Sequence, residues 1–182
     1  MPDCVLDSCC LINLCAAADL HRWLPLLGFS WHLPSAVAGE TFYLRWADEE
    51  GNRSRQAIEV QPCIDAGILA ECGVESAQES ELYVQLAADL DDGEAMALAI
   101  AKARGWLLAT DNRKPRRRAA EMGVSVITTP ELMKRWVDLN DVAPGELRAA
   151  LGRIRDQARF VPGSDFPLHP WWMNHLVERG EP

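Results

Sequence analysis

The sequence contains no hydrophobic run long enough to cross a membrane. Its longest apolar stretch, Cys9 to Ala18, already includes Asn13, whereas a membrane-spanning helix needs about 20 consecutive apolar residues. Lys and Arg are absent from the first twenty positions, and Asp3 and Asp7 stand where a secretory signal would carry positive charge. We therefore expect a cytoplasmic protein that does not associate with membranes.

Motifs of several enzyme classes are also missing. The chain has no Gly-x-x-x-x-Gly-Lys loop, no Gly-x-Gly-x-x-Gly and no Gly-x-Ser-x-Gly, which argues against P-loop hydrolases, dinucleotide-binding folds and α/β-hydrolases. The six cysteines contain no Cys-x-x-Cys pair, and the four histidines have no recognisable ligand spacing. Structural zinc and a disulfide framework are therefore not favoured.

The composition itself is that of an ordinary globular protein. The chain has 182 residues, of which 48% are hydrophobic and 25% charged, so it can form one domain with a sizeable core. Its 18 Lys and Arg against 27 Asp and Glu give a net charge of −9. This excludes a generally basic nucleic-acid coat protein, but it allows a local basic groove or a metal site built from carboxylates.

Short apolar runs alternate with helical segments, which predicts an α/β fold with a mostly parallel sheet. Predicted strands lie in the apolar run that opens at Cys4 and at residues 31–34, 57–60, 106–109 and 124–127. Predicted helices lie in the Ala/Leu-rich segment after the first strand, at 35–48 with Ser35 as N-cap and a break at 49–52, and at 62–71, 78–90, 91–105, 115–122 and 130–139.

The stretch from Asn140 onward is interpreted as an appendage. It contains one further predicted helix, about Pro144 to Phe160, and then a tail rich in Pro and Gly that carries Trp171 and Trp172. Tail tryptophans pack back on the core more often than they stack on a ligand. We therefore divide the chain into an α/β domain, residues 1–139, and a C-terminal helix and tail, residues 140–182.

Two aspartates follow predicted strands. Asp7 belongs to a segment expected to be buried on both faces, and a buried carboxylate needs a cation, a metal ion or hydrogen-bond donors. Asp111 stands at the carboxyl end of the strand at 106–109, where ligands collect in doubly wound sheets. The alternative interpretations are a helix cap for Asp7 and ordinary turn residues for both.

Two glutamates are further candidates. If residues 35–48 are helical, Glu40 lies on the apolar face with Val37 and Leu44, so it either reaches out to solvent or faces a site. Glu94 falls in the first turn of its predicted helix and forms a capping box with Asp91. Taken alone, Glu94 is more simply a cap than a ligand.

A basic run follows the second aspartate, with five positive charges in six positions of an acidic protein. Beside a carboxylate cluster such a run could bind phosphates. The alternative is a solvated helix face held by i,i+4 ion pairs. The five residues are Arg113, Lys114, Arg116, Arg117 and Arg118.

Four motifs in order carry a family resemblance. They are Val5-Leu6-Asp7-Ser8, then Glu40, then Asp92-Gly93-Glu94-Ala95 leading into Ala97-Leu98-Ala99, and Leu108-Ala109-Thr110-Asp111. The set resembles the PIN-domain nucleases and is most similar to the branch that includes VapC-type toxins of bacterial toxin–antitoxin pairs. The Gly-Glu-Ala form of the third motif resembles one subgroup. The resemblance covers residues 3–137.

The resemblance implies a three-layer α/β/α sandwich with a PIN-like nuclease domain at residues 1–139. It implies one or two Mg²⁺ or Mn²⁺ ions at Asp7, Glu40, Glu94 and Asp111, an RNA substrate and a homodimer. It also implies an antitoxin partner for a toxin member. The fifth acidic position of many relatives is replaced here by Asn112 and the basic run, which leaves Asp92 and Thr128 as open candidates.

Two other interpretations stay open at this point. A PIN-like module could bind RNA or a protein partner without cutting, although the presence of all four acids favours the enzyme. Receiver and phosphatase domains also gather aspartates at strand ends. However, no Lys of the receiver type follows the strand at 124–127, and the chain has Asp7-Ser8-Cys9 where a phosphatase would have Asp-x-Asp.

Overall fold

The structure is a computed structural model that describes residues 1–47 and 53–176. The strands are β1 (Asp3–Leu6), β2 (Ser30–Pro34), β3 (Tyr43–Ala47), β4 (Arg53–Ala57), β5 (Leu69–Cys72), β6 (Leu107–Ala109) and β7 (Val126–Ile127). Five of them form one sheet in the order β5-β2-β1-β6-β7, with every neighbouring pair parallel. The other two, β3 and β4, form an antiparallel hairpin.

Helices cover both faces of this sheet. They are α1 (Ser8–Ala17), α2 (Leu20–Trp23), α3 (Ser35–Ala38), α4 (Gln61–Asp65), α5 (Ala77–Ala87), α6 (Asp92–Arg104), α7 (Arg113–Met122), α8 (Thr129–Leu139), α9 (Pro144–Arg153) and α10 (His169–Leu176), with a 3-10 turn at Leu24–Leu27 and a π turn at Ile154–Ala158. None of the helices in the described ranges is long and apolar enough to cross a membrane.

Two apolar clusters, one on each side of the sheet, make the three layers. Alternate residues of β1 point to opposite faces: Leu6 joins the cluster with α1, α8 and α9, whereas Val5 joins the cluster with α5, α6 and α7. Both side chains are fully buried, as expected for a central strand of a parallel sheet. The predicted α/β/α sandwich with a parallel central sheet is confirmed.

The predicted helix at 35–48 is wrong. Only Ser35–Ala38 is helical, and the chain then turns into β3. Pro34, not Ser35, is the N-cap residue, and no side chain caps this helix. The segment from Tyr43 onward alternates between exposed and buried side chains, as a strand does. Leu44 packs towards the core while Tyr43 is exposed. The predicted break at 49–52 lies outside the described residues.

Two further predicted boundaries are wrong. The predicted strand at 57–60 overlaps the observed one only at Ala57, because pairing with β3 fixes the strand at Arg53–Ala57. The predicted helix at 62–71 ends at Asp65, and its second half is strand β5. Gly67 has φ +68, a left-handed conformation that suits glycine and ends the helix before the strand begins.

The C-terminal part packs on the same core as the rest of the chain. Leu147, Leu151 and Ile154 join the cluster that contains the α1 and α8 side chains, and Trp172 of α10 is fully buried in it. The packing of Trp172 against the core is therefore as expected, whereas α10 itself was missed in a segment interpreted as a Pro/Gly-rich tail. The division of the chain at residue 140 stays a prediction.

Candidate metal and nucleic-acid site

The carboxyl ends of β1 and β6 lie side by side because these strands pair directly. Leu6 is opposite Ala109 in the register, and Asp7 N donates a hydrogen bond to Ala109 O at 3.0 Å. The residues that follow each strand, Asp7 on one and Thr110 and Asp111 on the other, therefore emerge at the same edge of the sheet. This is the edge at which α/β folds place their ligand sites.

Asp7 is a buried carboxylate held by uncharged donors. Its side chain is 1% exposed, and it caps α1 by accepting a hydrogen bond from Ser8 N at 2.7 Å. Its other oxygen accepts hydrogen bonds from Thr110 Oγ1 at 2.7 Å and from the Cys9 thiol at 3.3 Å. Burial raises the pKa of Asp7, these hydrogen bonds offset part of the rise, and the negative charge of Asp91 adds to it. Asp7 is thus both a helix cap and a buried carboxylate, the two interpretations that the sequence left open.

Glu94 also combines a cap with a place in the site. Asp91 Oδ1 accepts a hydrogen bond from Glu94 N at 2.8 Å, and Asp91 N donates to Glu94 Oε2 at 3.4 Å, which is the capping box predicted from the sequence. The remaining oxygen, Oε1, accepts a hydrogen bond from Asn112 Nδ2 at 2.7 Å. Burial raises the pKa of Glu94, and the charges of Asp91 and Asp7 raise it further.

Glu40 belongs to the same electrostatic cluster although it is not on a helix. It follows α3 and is exposed, which corrects the placement on an apolar helix face. Glu40 Oε1 lies near Gly93, 3.6 Å from where a Cβ of residue 93 would stand, which is an ordinary contact distance. Partial burial raises the pKa of Glu40, followed by the charges of Asp91, Asp7 and Asp92.

Asp111 emerges at the same edge but its carboxylate turns towards α1 and α8. Its Oδ2 accepts hydrogen bonds from Asn13 Nδ2 at 2.9 Å, from the Cys10 thiol at 3.4 Å and from Thr129 Oγ1, while Oδ1 accepts from Thr129 N at 2.8 Å. The residue is 8% exposed, and burial raises its pKa against these donors. Glu40 and Glu94 thus each lie within electrostatic range of Asp7 and Asp91, whereas the Asp111 carboxylate is held by a separate set of donors.

The chemistry of the cluster suits a hard divalent cation. Asp7, Glu40, Asp91 and Glu94 offer carboxylate oxygens, the ligand type that Mg²⁺ and Mn²⁺ prefer. Burial is the main cause of the raised pKa values, and the neighbouring negative charges add to it. A bound cation would offset both effects.

Among the described residues, the group whose ligand atoms lie close enough together to share one ion is a different one. The sulfurs of Cys9 and Cys10 and a carboxylate oxygen of Asp111 lie within 4.8 Å of one another. Thiol sulfur suits softer ions than Mg²⁺, and burial raises the pKa of the Cys10 thiol well above its usual range in the metal-free protein.

The two additional candidates have other partners. Asp92 Oδ1 accepts a hydrogen bond from Tyr83 OH at 3.3 Å. The negative charge of Asp92 also helps to raise the pKa of Glu40. Thr128 begins α8, and both its N and its Oγ1 donate to Glu131 at 2.7 Å. Thr128 is thereby occupied in a capping box.

The basic run forms α7, which Pro115 enters as a buried residue. Lys114 and Arg118 face the loop before α6, where Lys114 Nζ lies 2.9 Å from Asp89 Oδ1 and Arg118 Nε lies 4.0 Å from Asp89 Oδ2. The other three, Arg113, Arg116 and Arg117, line a groove against β7, α8 and the tail. The helix therefore presents its cations on two different sides.

Comparison with known proteins identifies the family of this chain. Residues 3–164 match the DUF3368 family model, whose description is PIN domain. The chain belongs to the PIN-domain family. PIN domains are generally nucleases and typically bind divalent metal ions. No curated protein and no solved structure gave a significant match.

Sequence reasoning missed two polar residues of this PIN domain site. Asp91 was interpreted only as a cap, yet its charge raises the pKa of Asp7, Glu40 and Glu94. Asn112 was noted only as a departure from the family pattern, yet it is the residue that contacts Glu94. The sequence carried no local signal for this contact, because it depends on where α6 docks beside the end of β6.

Proposed function

We propose that this PIN domain is a divalent-metal-dependent endoribonuclease that hydrolyses RNA phosphodiester bonds. The observation that carries the proposal is that Asp7, at the carboxyl end of β1, lies within electrostatic range of Glu40 after α3 and of Glu94 in the first turn of α6, and that the pKa of each of the three is raised. Such a cluster repels itself unless a cation occupies it. The basic helix next to it adds charge complementary to a polyanion.

In this proposal Asp7, Glu40, Glu94 and Asp111 hold Mg²⁺ or Mn²⁺ and are the catalytic residues. The bound ion would lower the pKa of a water molecule and offset charge on the phosphate during hydrolysis. Thr110 and Ser8 keep the Asp7 carboxylate oriented, and Asn112 does the same for Glu94. Because these donors are uncharged, they orient the carboxylates without cancelling the charge that attracts the ion.

The finer assignment is to the VapC-type branch, in the subgroup with the Gly93-Glu94-Ala95 motif. We infer from this resemblance that the protein acts as the toxin of a toxin–antitoxin pair, forms a homodimer and works in the cytoplasm. The support is the ordered set of motifs, including the Glu at the third acidic position. Co-expression with the product of the adjacent gene, followed by a growth assay, tests the toxin role.

A non-catalytic PIN-like module that binds RNA or a protein is the alternative. One observation favours it: both oxygens of Asp111 already accept hydrogen bonds from Asn13 and Thr129, so this carboxylate is engaged elsewhere. The difference between the two functions is chemical, since only the nuclease changes the length of the RNA.

The deciding experiment incubates the purified protein with total RNA and with tRNA in Mg²⁺, Mn²⁺ or EDTA. Asp7→Asn is the test variant, and Asp3→Asn is its matched control, because Asp3 lies at the opposite end of β1 beside His32. Cleavage that is lost with EDTA and with Asp7→Asn, but kept with Asp3→Asn, supports the nuclease. Full metal-dependent cleavage by Asp7→Asn contradicts the site, and RNA left intact under all conditions supports the binding module.

A further inference from the structure

The groove beside α7 has features that the acidic cluster does not explain. It encloses about 630 Å³ between α7, β7, the start of α8 and the tail segment that contains Asp165 and Pro167. Three of the five cations of the basic run line it, and its floor includes Val124 and Val126. A rim of arginine over an apolar floor suits a ligand with both anionic groups and flat apolar surfaces.

The other two cations of α7 are neutralised from a different side. Lys114 Nζ contacts both the side chain and the backbone carbonyl of Asp89, and Arg118 Nη1 donates to Glu121 Oε2 at 2.9 Å. Arg117, in contrast, has a loose pairing with Glu121 at 3.7 Å and a strongly exposed side chain, an arrangement of little energetic weight. The positive charge available to a ligand is thus concentrated on the groove side.

The tail fixes one wall of this groove. Arg116 lies with its guanidinium 4.2 Å from the Phe166 ring centroid and with Nη1 3.4 Å from Asp165 Oδ2. Phe166 is buried and packs edge-on against Phe160, which packs in the same way against Trp172. An aromatic chain therefore links the rim arginine to the core, and the tail after Asn140 takes part in shaping the groove.

The groove begins next to the acidic cluster. Arg113 lines the groove, and the residue before it, Asn112, donates to Glu94. Two acids also border the groove: Glu131 accepts the capping hydrogen bonds of Thr128, and Asp165 faces Arg116. Arg113 and Arg117 therefore remain as its two exposed cations.

We propose that this groove binds a single-stranded RNA segment that extends from the acidic cluster, with Arg113 and Arg117 contacting phosphates. Arg116 forms part of the groove wall, where its side chain is held by Asp165 and Phe166. The proposal rests on the proposed function and adds the strand path and the form of the RNA. Single-stranded RNA fits because unpaired bases can lie on an apolar floor, whereas a duplex keeps its bases stacked inside.

The test measures binding in an Asp7→Asn background in the presence of Mg²⁺, so that the RNA stays intact. Fluorescence anisotropy of a short labelled single-stranded RNA is recorded over a range of salt concentrations. Arg113→Gln with Arg117→Gln is the test pair. Lys114→Gln with Arg118→Gln is the matched control, since it removes the same charge from the same helix on the other side.

We expect the test pair to lose about tenfold or more in affinity and to flatten the salt dependence by about 1.4 in log–log slope, the amount for two lost phosphate contacts to a single strand. The control pair should change affinity less than about twofold, in keeping with the small weight of exposed ion pairs. Equal losses in both pairs, or no loss in the test pair, would overturn the proposal.

Three further measurements separate the outcomes. Duplex RNA that binds as tightly and with the same dependence on Arg113 and Arg117 would overturn the single-strand assignment. A polyglutamate peptide that displaces the RNA at equal concentration would show that the groove is a site for acidic peptides instead. Cleavage by the wild-type protein is scored independently, because a groove-dependent binder that never cleaves contradicts the proposed function and not the groove.

Discussion

Asn112 donates a side-chain hydrogen bond to Glu94 Oε1 at 2.7 Å. This bond joins the segment that follows β6 to the first turn of α6. Uncharged donors serve the other two buried acids in the same way: Thr110 donates to Asp7, and Asn13 donates to Asp111. A neutral donor orients a carboxylate without removing its charge. The acids therefore keep the net negative field that a divalent cation requires.

Replacing Asn112 by Asp should make the melting temperature depend more strongly on bound metal. The variant places a second carboxylate within hydrogen-bond distance of Glu94, so the two repel, and we expect a lower melting temperature at pH 7 without metal. Mn²⁺ should restore more stability to Asn112→Asp than to the wild type. Thermal unfolding with and without Mn²⁺ measures both effects, and Asn112→Ala is the control that removes the donor without adding charge. An unchanged melting temperature in metal-free Asn112→Asp would contradict the proximity of these groups.

Removing the charge of Asp7 should stabilise the metal-free protein at neutral pH. Burial raises the pKa of Asp7 in the folded state, so its contribution to stability is present below its unfolded pKa and is lost as pH rises through the folded value. We expect Asp7→Asn to melt at a higher temperature than wild type at pH 7 in EDTA and to lose this advantage near pH 4. Thermal scans across pH measure it, and a constant difference at all pH values would argue against a charge effect.

Thr129 should contribute more to the free energy of unfolding than an ordinary buried threonine. It is fully buried, and both its backbone N and its Oγ1 donate to Asp111. Thr129→Val keeps the shape but removes one donor from a buried carboxylate, which should cost about 1–3 kcal/mol. Urea unfolding measures the loss. Thr41→Val, at an exposed position, should stay within about 0.5 kcal/mol. A loss at Thr129 no larger than that at Thr41 would rule out an ionised Asp111.

The same residues show what the sequence could and could not predict. Local signals were reliable: the capping box of Asp91 and Glu94 starts α6, and Gly105, with φ +69, ends it. The side of the chain to which Asp111 or Asn112 points was beyond local reasoning, because it depends on where α1, α6 and α8 dock. The position of Glu40 was also beyond local reasoning, because the helix predicted at 35–48 ends at Ala38 and Glu40 lies in the turn towards β3.

The Glu79–Arg104 pair should anchor α6, the helix that carries Glu94. Glu79 is 3% exposed, and Arg104 Nε donates to its Oε1 at 2.6 Å and Nη2 to Gly73 O at 2.8 Å. The hydrogen bond from Arg104, with those from the backbone N–H groups of Glu75 and Ser76, lowers the pKa of Glu79 to about 2. Glu79→Gln leaves Arg104 without its charged partner and should cost about 3 kcal/mol at pH 7.

The pH dependence of that loss follows from the direction of the shift. A lowered pKa gives stability that is present above the unfolded value of about 4.3 and is lost as pH falls towards about 2. The difference between Glu79→Gln and wild type should therefore shrink below pH 4 in urea unfolding. Glu81→Gln, exposed on the same helix, is the control. A pH-independent loss would assign the effect to packing.

Asp165→Asn should tighten RNA binding with little effect on stability. Asp165 is exposed, and its 3.4 Å contact with Arg116 is a surface ion pair, so its loss should change the free energy of unfolding by less than about 1 kcal/mol. The substitution removes a negative charge that borders the groove and repels the RNA phosphates, so we expect affinity for single-stranded RNA to rise at low salt and the gain to fade at high salt. Asp138→Asn is the control, because Asp138 pairs with Lys134 near the end of α8 that lies away from the groove. Anisotropy titrations at two salt concentrations compare the variants. Weaker binding by Asp165→Asn would mean that the groove wall needs the pair between Asp165 and Arg116, and equal gains in both variants would mean that only net charge matters.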